Sequence, residues 1–238
     1  MPDPPRIIAL DIETSPLVSY TWGIYEQDVI KRLKTFTILS VAYQWLGQKT
    51  KVIARDNLTE KQLLAKLYKL LDQADVVIAH NGDAFDIKKI NARFITYKIY
   101  PPSPYKTIDT KKEAKKVAAF DSNSLNNLGI DLGEGEKIKH RGFDMWEGCM
   151  AGNRRDWRDM KRYNKKDVDL LVRIYYRLRP WMKTHPDIRP SYSGNCPKCD
   201  STNVKKGGVR RNKKLFYQRL YCLGCGGWFI GDRVQKDC

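Results

Sequence analysis

The sequence predicts an α/β protein: a mixed or mostly parallel sheet flanked by helices, followed by a small four-cysteine module. Two observations carry this. Over the first 180 or so residues, short apolar runs alternate with segments of helical spacing, the pattern of strands joined by crossover helices. Beyond them, Cys196, Cys199, Cys222 and Cys225 form two C-x-x-C pairs, a spacing that suits metal better than disulfides.

The elements follow in order. "IIALDIET" is an apolar run from Ile7 to Leu10 that ends in acids, a buried strand. "FTILSVAYQWL" and "TKVIA" read as two more strands around a turn at Gly47. In "LTEKQLLAKLYKLLDQA", Thr59 suits an N-cap, and Leu63, Leu64, Leu67, Leu70 and Leu71 keep helical spacing. "DVVIAHNG" is another buried strand and "DAFDIKKINARFITYKI" another helix. "TIDT" is a short strand or turn, and "SLNNLGIDLG" a short helix closed by glycine. "RRDWRDMKRYNKKDVDLLVRIYYRLRPWM" is a long helix ended at or just after Pro180. "THPDIRPSYSGN" lacks periodicity and reads as a linker. The expected domains are 1–183, a linker at 184–192, and the cysteine module at 193–238.

The 238 residues are 42% hydrophobic, ample for a core, and carry a formal net charge of +17. Such an excess points to a polyanionic partner, nucleic acid before a membrane surface. From Ser191 onward there are ten basic residues against three acids, a net of +7, leaving +10 for the rest. No apolar run approaches the ~20 residues needed to span a bilayer, and "MPDPPR" lacks the regions of a signal peptide. The expectation is a soluble, cytoplasmic protein of a bacterium, or of a virus acting in its host. Cys149 and Cys238 read as a buried thiol and a loose terminal one.

Asp11 and Glu13, two apart at a strand end, share one face. Paired acids there repel and are costly; bound divalent cations would offset that cost. Asp86 opens a helix, where acids are favoured anyway, and Asp83 is a rival N-cap in the same loop. Tyr163 and Asp167 lie four apart, on one helical face. Alone, Tyr-x-x-x-Asp is weak: thirteen tyrosines give about one accidental match.

"ALDIET", "HNGDAFDI" and "YNKKD" occur in that order. Together they resemble the three exonuclease motifs of the DEDD superfamily, in its tyrosine-bearing branch. They are most similar to the proofreading 3′–5′ exonuclease domain of family B DNA polymerases. "FDSNSLNNLGIDLGEGEK" resembles that family's segment between the second and third motifs, and the resemblance spans roughly residues 6–180. It implies an RNase H-like fold in which Asp11, Glu13, Asp86 and Asp167 hold two Mg²⁺ or Mn²⁺ ions, Asp11 bridging them. The chemistry agrees: two metals ~3.5–4 Å apart can stabilise both attacking and leaving oxygens of a phosphodiester, and hard oxygen ligands suit these ions. Tyr163 would orient the attacking water, since a phenol of pKa ~10 is a poor base at neutral pH. The histidine branch would need His where this chain has Arg162.

Other residues make weaker claims. Asn81 would pin its turn or meet substrate backbone. Asp109 reads as a supporting or a turn acid, and Asp169 as a solvated one. His80, His140 and His185 read as ordinary polar histidines. Phe85 and Trp146 could stack on a terminal base, but core packing is the plainer reading.

"CPKC" and "CLGC" are separated by twenty-two residues. Four thiolates would make a closed, structural tetrahedral Zn²⁺ site; a redox dithiol is the rival reading of each pair. The module looks like a zinc ribbon, similar to those of transposases and other nucleic-acid proteins. Lys205, Lys206, Arg210, Arg211, Lys213, Lys214 and Arg219 surround Phe216, Tyr217 and Tyr221, an arrangement suited to phosphate contacts, although so small a module also needs aromatics as core. The expected function is two-metal-dependent 3′–5′ exonucleolytic hydrolysis of DNA. Alternatives are a structure-selective nuclease or ribonuclease on the same fold, and a non-catalytic nucleic-acid-binding protein. The expected partners are a nucleic acid with a 3′ end and a separate polymerase or repair or replication protein, with no membrane.

Overall fold

The computed structural model of the chain describes residues 5–25, 28–189, 194–212 and 215–234. Lys213, Lys214 and Cys238 therefore lie outside the described residues, as does part of the expected linker. In chain order the strands are β1 (Ile7–Thr14), β2 (Val18–Tyr20), β3 (Lys31–Lys34), β4 (Ile38–Trp45), β5 (Lys51–Ala54), β6 (Val76–Ala79), β7 (Lys106–Asp109), β8 (Val204–Asn212), β9 (Leu215–Cys222) and β10 (Trp228–Arg233). The α-helices are α1 (Glu60–Asp72), α2 (Asp86–Thr96), α3 (Thr110–Val117), α4 (Leu125–Asp131), α5 (Asp144–Met150) and α6 (Arg154–Leu178). Single 3₁₀ turns occur at Arg55–Asn57 and at Arg179–Trp181, the latter with Pro180 near its start.

β1 is the middle of a five-stranded sheet ordered β5-β4-β1-β6-β7. It runs antiparallel to β4 and parallel to β6, so the sheet is mixed. β4 and β5 form the hairpin expected at Gly47, whose φ of 83° is one that glycine adopts without strain. The period-two alternation of β1 divides its side chains between two cores. Ile8, Leu10 and Ile12 face Leu63, Leu64 and Leu67 of α1 and Ile90 and Phe94 of α2. Ile7 and Ala9 face the other way, into the core with Val168, Leu171 and Tyr175 of α6. Asp11 and Glu13 continue that second set. The same alternation that buries Ile7 and Ala9 thus carries the two acids onto the α6 side.

α6 is amphipathic, and its buried seam runs through Trp157, Met160, Tyr163, Asn164, Asp167, Val168 and Leu171 at helical spacing. Asn164 and Asp167 are the polar residues set into that seam beside the end of β1. Asn153 caps the helix by accepting from the Arg155 amide at 2.9 Å. α1 begins with the expected cap: Thr59 and Gln62 form a reciprocal capping box.

The turn between β6 and α2 is tight. Asn81 has φ 62°, and its carbonyl accepts from the Ala84 and Phe85 amides at 3.2 and 3.0 Å. A Cβ on Gly82 would lie 2.3 Å from the Ala79 Cβ, so only glycine fits. β6 pairs with β1 as far as Ala9↔Ile78. Past that point Asp86, the first residue of α2, meets the edge of β1, its Oδ1 accepting from the Ile12 amide at 3.0 Å. Asp83 does not cap α2; it pairs instead with Lys112 at 2.8 Å.

β8, β9 and β10 form a separate antiparallel sheet, with β9 in the middle. This sheet and its cysteine turns touch the first part of the chain through the Lys198 ammonium, which donates to the Pro180 carbonyl at 2.7 Å, and the Ile188 amide, which donates to the Pro197 carbonyl at 2.9 Å. Among the described residues no helix is long and apolar enough to cross a membrane.

Candidate functional site

Carboxylate oxygens of Asp11, Glu13 and Asp167 all lie within 4.8 Å of one another. Two come from the end of β1 and one from the α6 seam laid across it. Asp86 lies outside this trio but close enough to act on it electrostatically. Asp86 and Asp167 are almost wholly buried.

Burial shifts all four acids upward. Asp11 is held well above the usual carboxylate range by burial, then by the charges of Asp86, Glu13 and Asp167. Glu13 is pushed up to about 8 by burial and by Asp167. Burial pushes Asp86 up to about 7, against the opposing effect of the Ile12 amide. Asp167 is raised by burial, although Lys137 works the other way. Four acids so placed favour either protons or a bound cation.

Asp11 is fixed by a chain of buried and part-buried hydrogen bonds. The Asn164 amide donates to Asp11 Oδ2 at 2.6 Å and to its carbonyl at 3.2 Å, while the Ser40 hydroxyl donates to Asn164 Oδ1 at 2.9 Å. Asn164 is the Asn of "YNKKD", and its part in the site had no separate signal in the sequence.

Lys137 is a second residue that sequence reasoning missed. Its ammonium lies 2.7 Å from Asp167 Oδ2 and 4.9 Å from the centre of the Tyr163 ring. Burial alone would lower its pKa, but Asp167 and Tyr163 together outweigh burial and raise it. Tyr163 lies beside Lys137 and within reach of the Asp167 charge, and burial pushes its phenol up to about 12. It therefore stays protonated near neutrality. His140 packs edge-on against Tyr163 and Trp146, with ring centres 4.7 and 5.2 Å apart. This histidine and Trp146 thus border the site.

The donor set fits a hard divalent cation. All donors are carboxylate oxygens, and Asp167 Oδ1 is buried without a hydrogen-bond partner among the described residues. A bound cation would satisfy that oxygen and reverse the upward shifts. Beside Tyr163 opens a cleft of about 210 Å³ whose lining includes Lys139, Arg141, Arg155 and Arg162.

The four cysteines converge as well. Cys196 and Cys225 sulfurs are 3.7 Å apart, those of Cys199 and Cys222 3.6 Å, and all four lie within 4.8 Å of one another. Asp200 (φ 56°) and Gly226 (φ 75°) turn the chain tightly after each pair, their amides donating to the Cys196 and Cys222 carbonyls at 2.8 and 2.9 Å. The group could hold a metal. Lys205, Lys206, Arg210, Arg211 and Arg219 are exposed on β8 and β9, with Arg219 stacked 4.8 Å over Trp228.

The remaining candidates have structural partners. Asp109 caps α3 and accepts from the Asn81 amide at 2.9 Å. His80 bridges the Thr110 hydroxyl and the Asn123 carbonyl, and His185 meets the Tyr175 hydroxyl at 2.9 Å. Asp169 accepts from the Thr50 hydroxyl and is part-buried rather than solvated. Phe85 is exposed beside the turn rather than packed in the core.

A family model for the RNase H superfamily matches residues 8–179. The chain belongs to the RNase H superfamily. Among solved structures it is similar to the family B DNA polymerase from the hyperthermophilic archaeon Pyrobaculum calidifontis, at 13% identity and a TM-score of 0.57. The match covers 75% of this chain and 25% of the polymerase, so the chain spans a quarter of that protein's length. No curated protein matches the sequence. Within its RNase H fold, the acids at the end of the central strand face the long helix that follows motif "HNGDAFDI" at a distance in sequence.

Proposed function

We propose that this chain is a two-metal-dependent 3′–5′ exonuclease of the tyrosine branch of the DEDD superfamily, hydrolysing phosphodiester bonds of DNA. The observation that carries this reading is the convergence of Asp11, Glu13 and Asp167 within 4.8 Å, with the Asp167 Oδ1 left unpartnered inside an RNase H fold. Asp11, Glu13, Asp86 and Asp167 would hold Mg²⁺ or Mn²⁺, which when bound supplies charge for the attacking and leaving oxygens.

The chain's own residues do the rest. Asn164 and Ser40 fix the rotamer of Asp11. The Tyr163 hydroxyl, protonated at neutral pH, orients the attacking water by hydrogen bonding. Lys137 steadies Tyr163 and Asp167 and offers positive charge beside the reacting phosphate. The cations around the cleft at Tyr163 neutralise the phosphates that precede it. DNA is favoured over RNA by the likeness of the three motifs to proofreading domains.

For the C-terminal module, residues 193–238, the reading is a structural zinc ribbon joined to the 1–183 exonuclease domain by the 184–192 segment. Four sulfurs ~2.3 Å from a central Zn²⁺ lie ~3.8 Å apart, close to the 3.6 and 3.7 Å separations here. Its exposed cations would help to grip nucleic acid, and a separate polymerase or repair protein would use the trimmed end. The test is digestion of 3′- and 5′-labelled single- and double-stranded DNA and RNA with Mg²⁺, Mn²⁺ or EDTA. Metal-dependent loss of 3′-terminal nucleotides from DNA is expected. Absence of metal-dependent cleavage of every substrate overturns the nuclease reading, and preference for RNA overturns the DNA assignment.

A further inference from the structure

β2 and β3 form a two-stranded hairpin that leaves the central sheet directly after the acid-bearing end of β1. Such a hairpin is marginal alone, and its foot is clamped. The Ser15 amide donates to the Thr37 carbonyl at 2.9 Å, and the Thr37 amide donates to the Ser15 hydroxyl at 2.9 Å. The Arg55 guanidinium donates to the Thr37 hydroxyl at 2.6 Å. Ser15 is two residues from Glu13, so the arm is rooted at the acid cluster.

The arm carries apolar surface that no core uses. Trp22 is 88% exposed, Ile24 89% and Tyr20 59%. Every residue of β3 is exposed, and three of the four are cationic: Lys31, Arg32 and Lys34. At the foot lies a groove of about 550 Å³ whose lining includes Val18, Lys34, Arg55, Met150 and Trp157. The Arg55 Nε beside it is buried without a partner among the described residues. Flat rings and cations together match bases and phosphates, whereas an apolar protein partner would leave the β3 charges unanswered.

We infer that the β2–β3 hairpin is an arm that grips single-stranded nucleic acid next to the acid cluster. Its rings stack on bases, and Lys31, Arg32 and Lys34 contact phosphates along the path to the groove. That the gripped strand is presented for cleavage rests on the nuclease reading; the binding itself does not.

The test uses the full chain in EDTA, with a long fluorescent oligothymidylate as probe and anisotropy as readout. Tyr20→Ala combined with Trp22→Ala should weaken binding about tenfold or more, at an unchanged melting temperature because both rings are exposed. Trp22→Phe, which keeps a ring, should retain most of the affinity. Lys31→Ala with Arg32→Ala should flatten the salt dependence by roughly 1.4 ions released, at ~0.7 for each of two phosphate contacts. Wild-type affinity and salt slope in both double variants overturn the inference. So does a change of oligomeric state without a change of affinity, which assigns the surface to a second copy of the chain. Lost affinity in a protein that cleaves nothing would uphold the arm and reject the nuclease. Cleavage by the wild type with unchanged affinity in the variants would do the reverse.

Discussion

Glu13 should make the metal-free protein less stable as pH rises. Its carboxyl titrates near 4.5 when unfolded and is pushed up to about 8 in the fold, first by burial and then by the Asp167 charge. Because the folded value is the higher, its contribution to stability is complete below about pH 4.5 and is lost as pH climbs through about 8. At ~1.36 kcal/mol per unit the ceiling is about 5 kcal/mol. Glu13 is only part-buried, and screening by solvent brings this to about 2–3 kcal/mol. For a chain of this size that is a fall in Tm of roughly 5–10 °C. Thermal melts in EDTA between pH 5 and 8 measure it. Mg²⁺ or Mn²⁺ at a hundred times its Kd should then return about 2.7 kcal/mol. Glu13→Gln, which cannot ionise, should lessen the pH dependence, leaving the part owed to Asp11, Asp86 and Asp167, and should lose much of the response to metal. A metal-free Tm that does not move with pH, or a Glu13→Gln slope equal to wild type, would refute the reasoning.

Three further outcomes are expected. Asp167→Ala should abolish cleavage while leaving nucleic-acid affinity in EDTA largely intact; surviving turnover would show that the third acid has been misassigned. Tyr163→Phe and Lys137→Ala should each lower kcat by about 10²-fold, as small losses of alignment do, with KM changing less; equal kcat in steady-state assays would remove both from the mechanism. Arg93→Leu leaves Glu60, which accepts from Arg93 at 2.8 and 2.6 Å and from the Ile38 amide at 3.0 Å, without its buried counter-charge. It should cost about 3–5 kcal/mol in urea unfolding; a loss under 1 kcal/mol would contradict that burial.

The parts legible in the sequence are those with strong periodicity. The runs at Ile7, Val76 and the leucines of α1 each bury a continuous apolar face, and their patterns show it. The hairpin β2–β3 was unreadable for the opposite reason: its apolar residues are exposed, so no core imposed a pattern on them. α3 is not legible in the sequence because "TKKEAKKV" offers little but Ala114 to the core and is set by the Asp109 cap. In the site, Asp11, Glu13 and Asp167 stood out as acids in motif spacing. Lys137 did not, since it lies in the polar stretch "GEGEKIKH" and reaches Asp167 only through the tertiary fold. Glu60 is a first-turn acid of α1, and nothing local to it foretells the pairing with Arg93 thirty-three residues on.

Gly82 has a consequence for how this chain can vary. One added methyl would arrive 2.3 Å from Ala79, and the backbone between β6 and α2 would have to yield. α2 would shift with it, drawing Asp86 from the Ile12 amide that holds it. A lineage could thus disarm the acid cluster while keeping every acid in its sequence. Inspection of the carboxylates alone would then count an inert homologue as intact, and the residue at position 82 would be the one that told them apart.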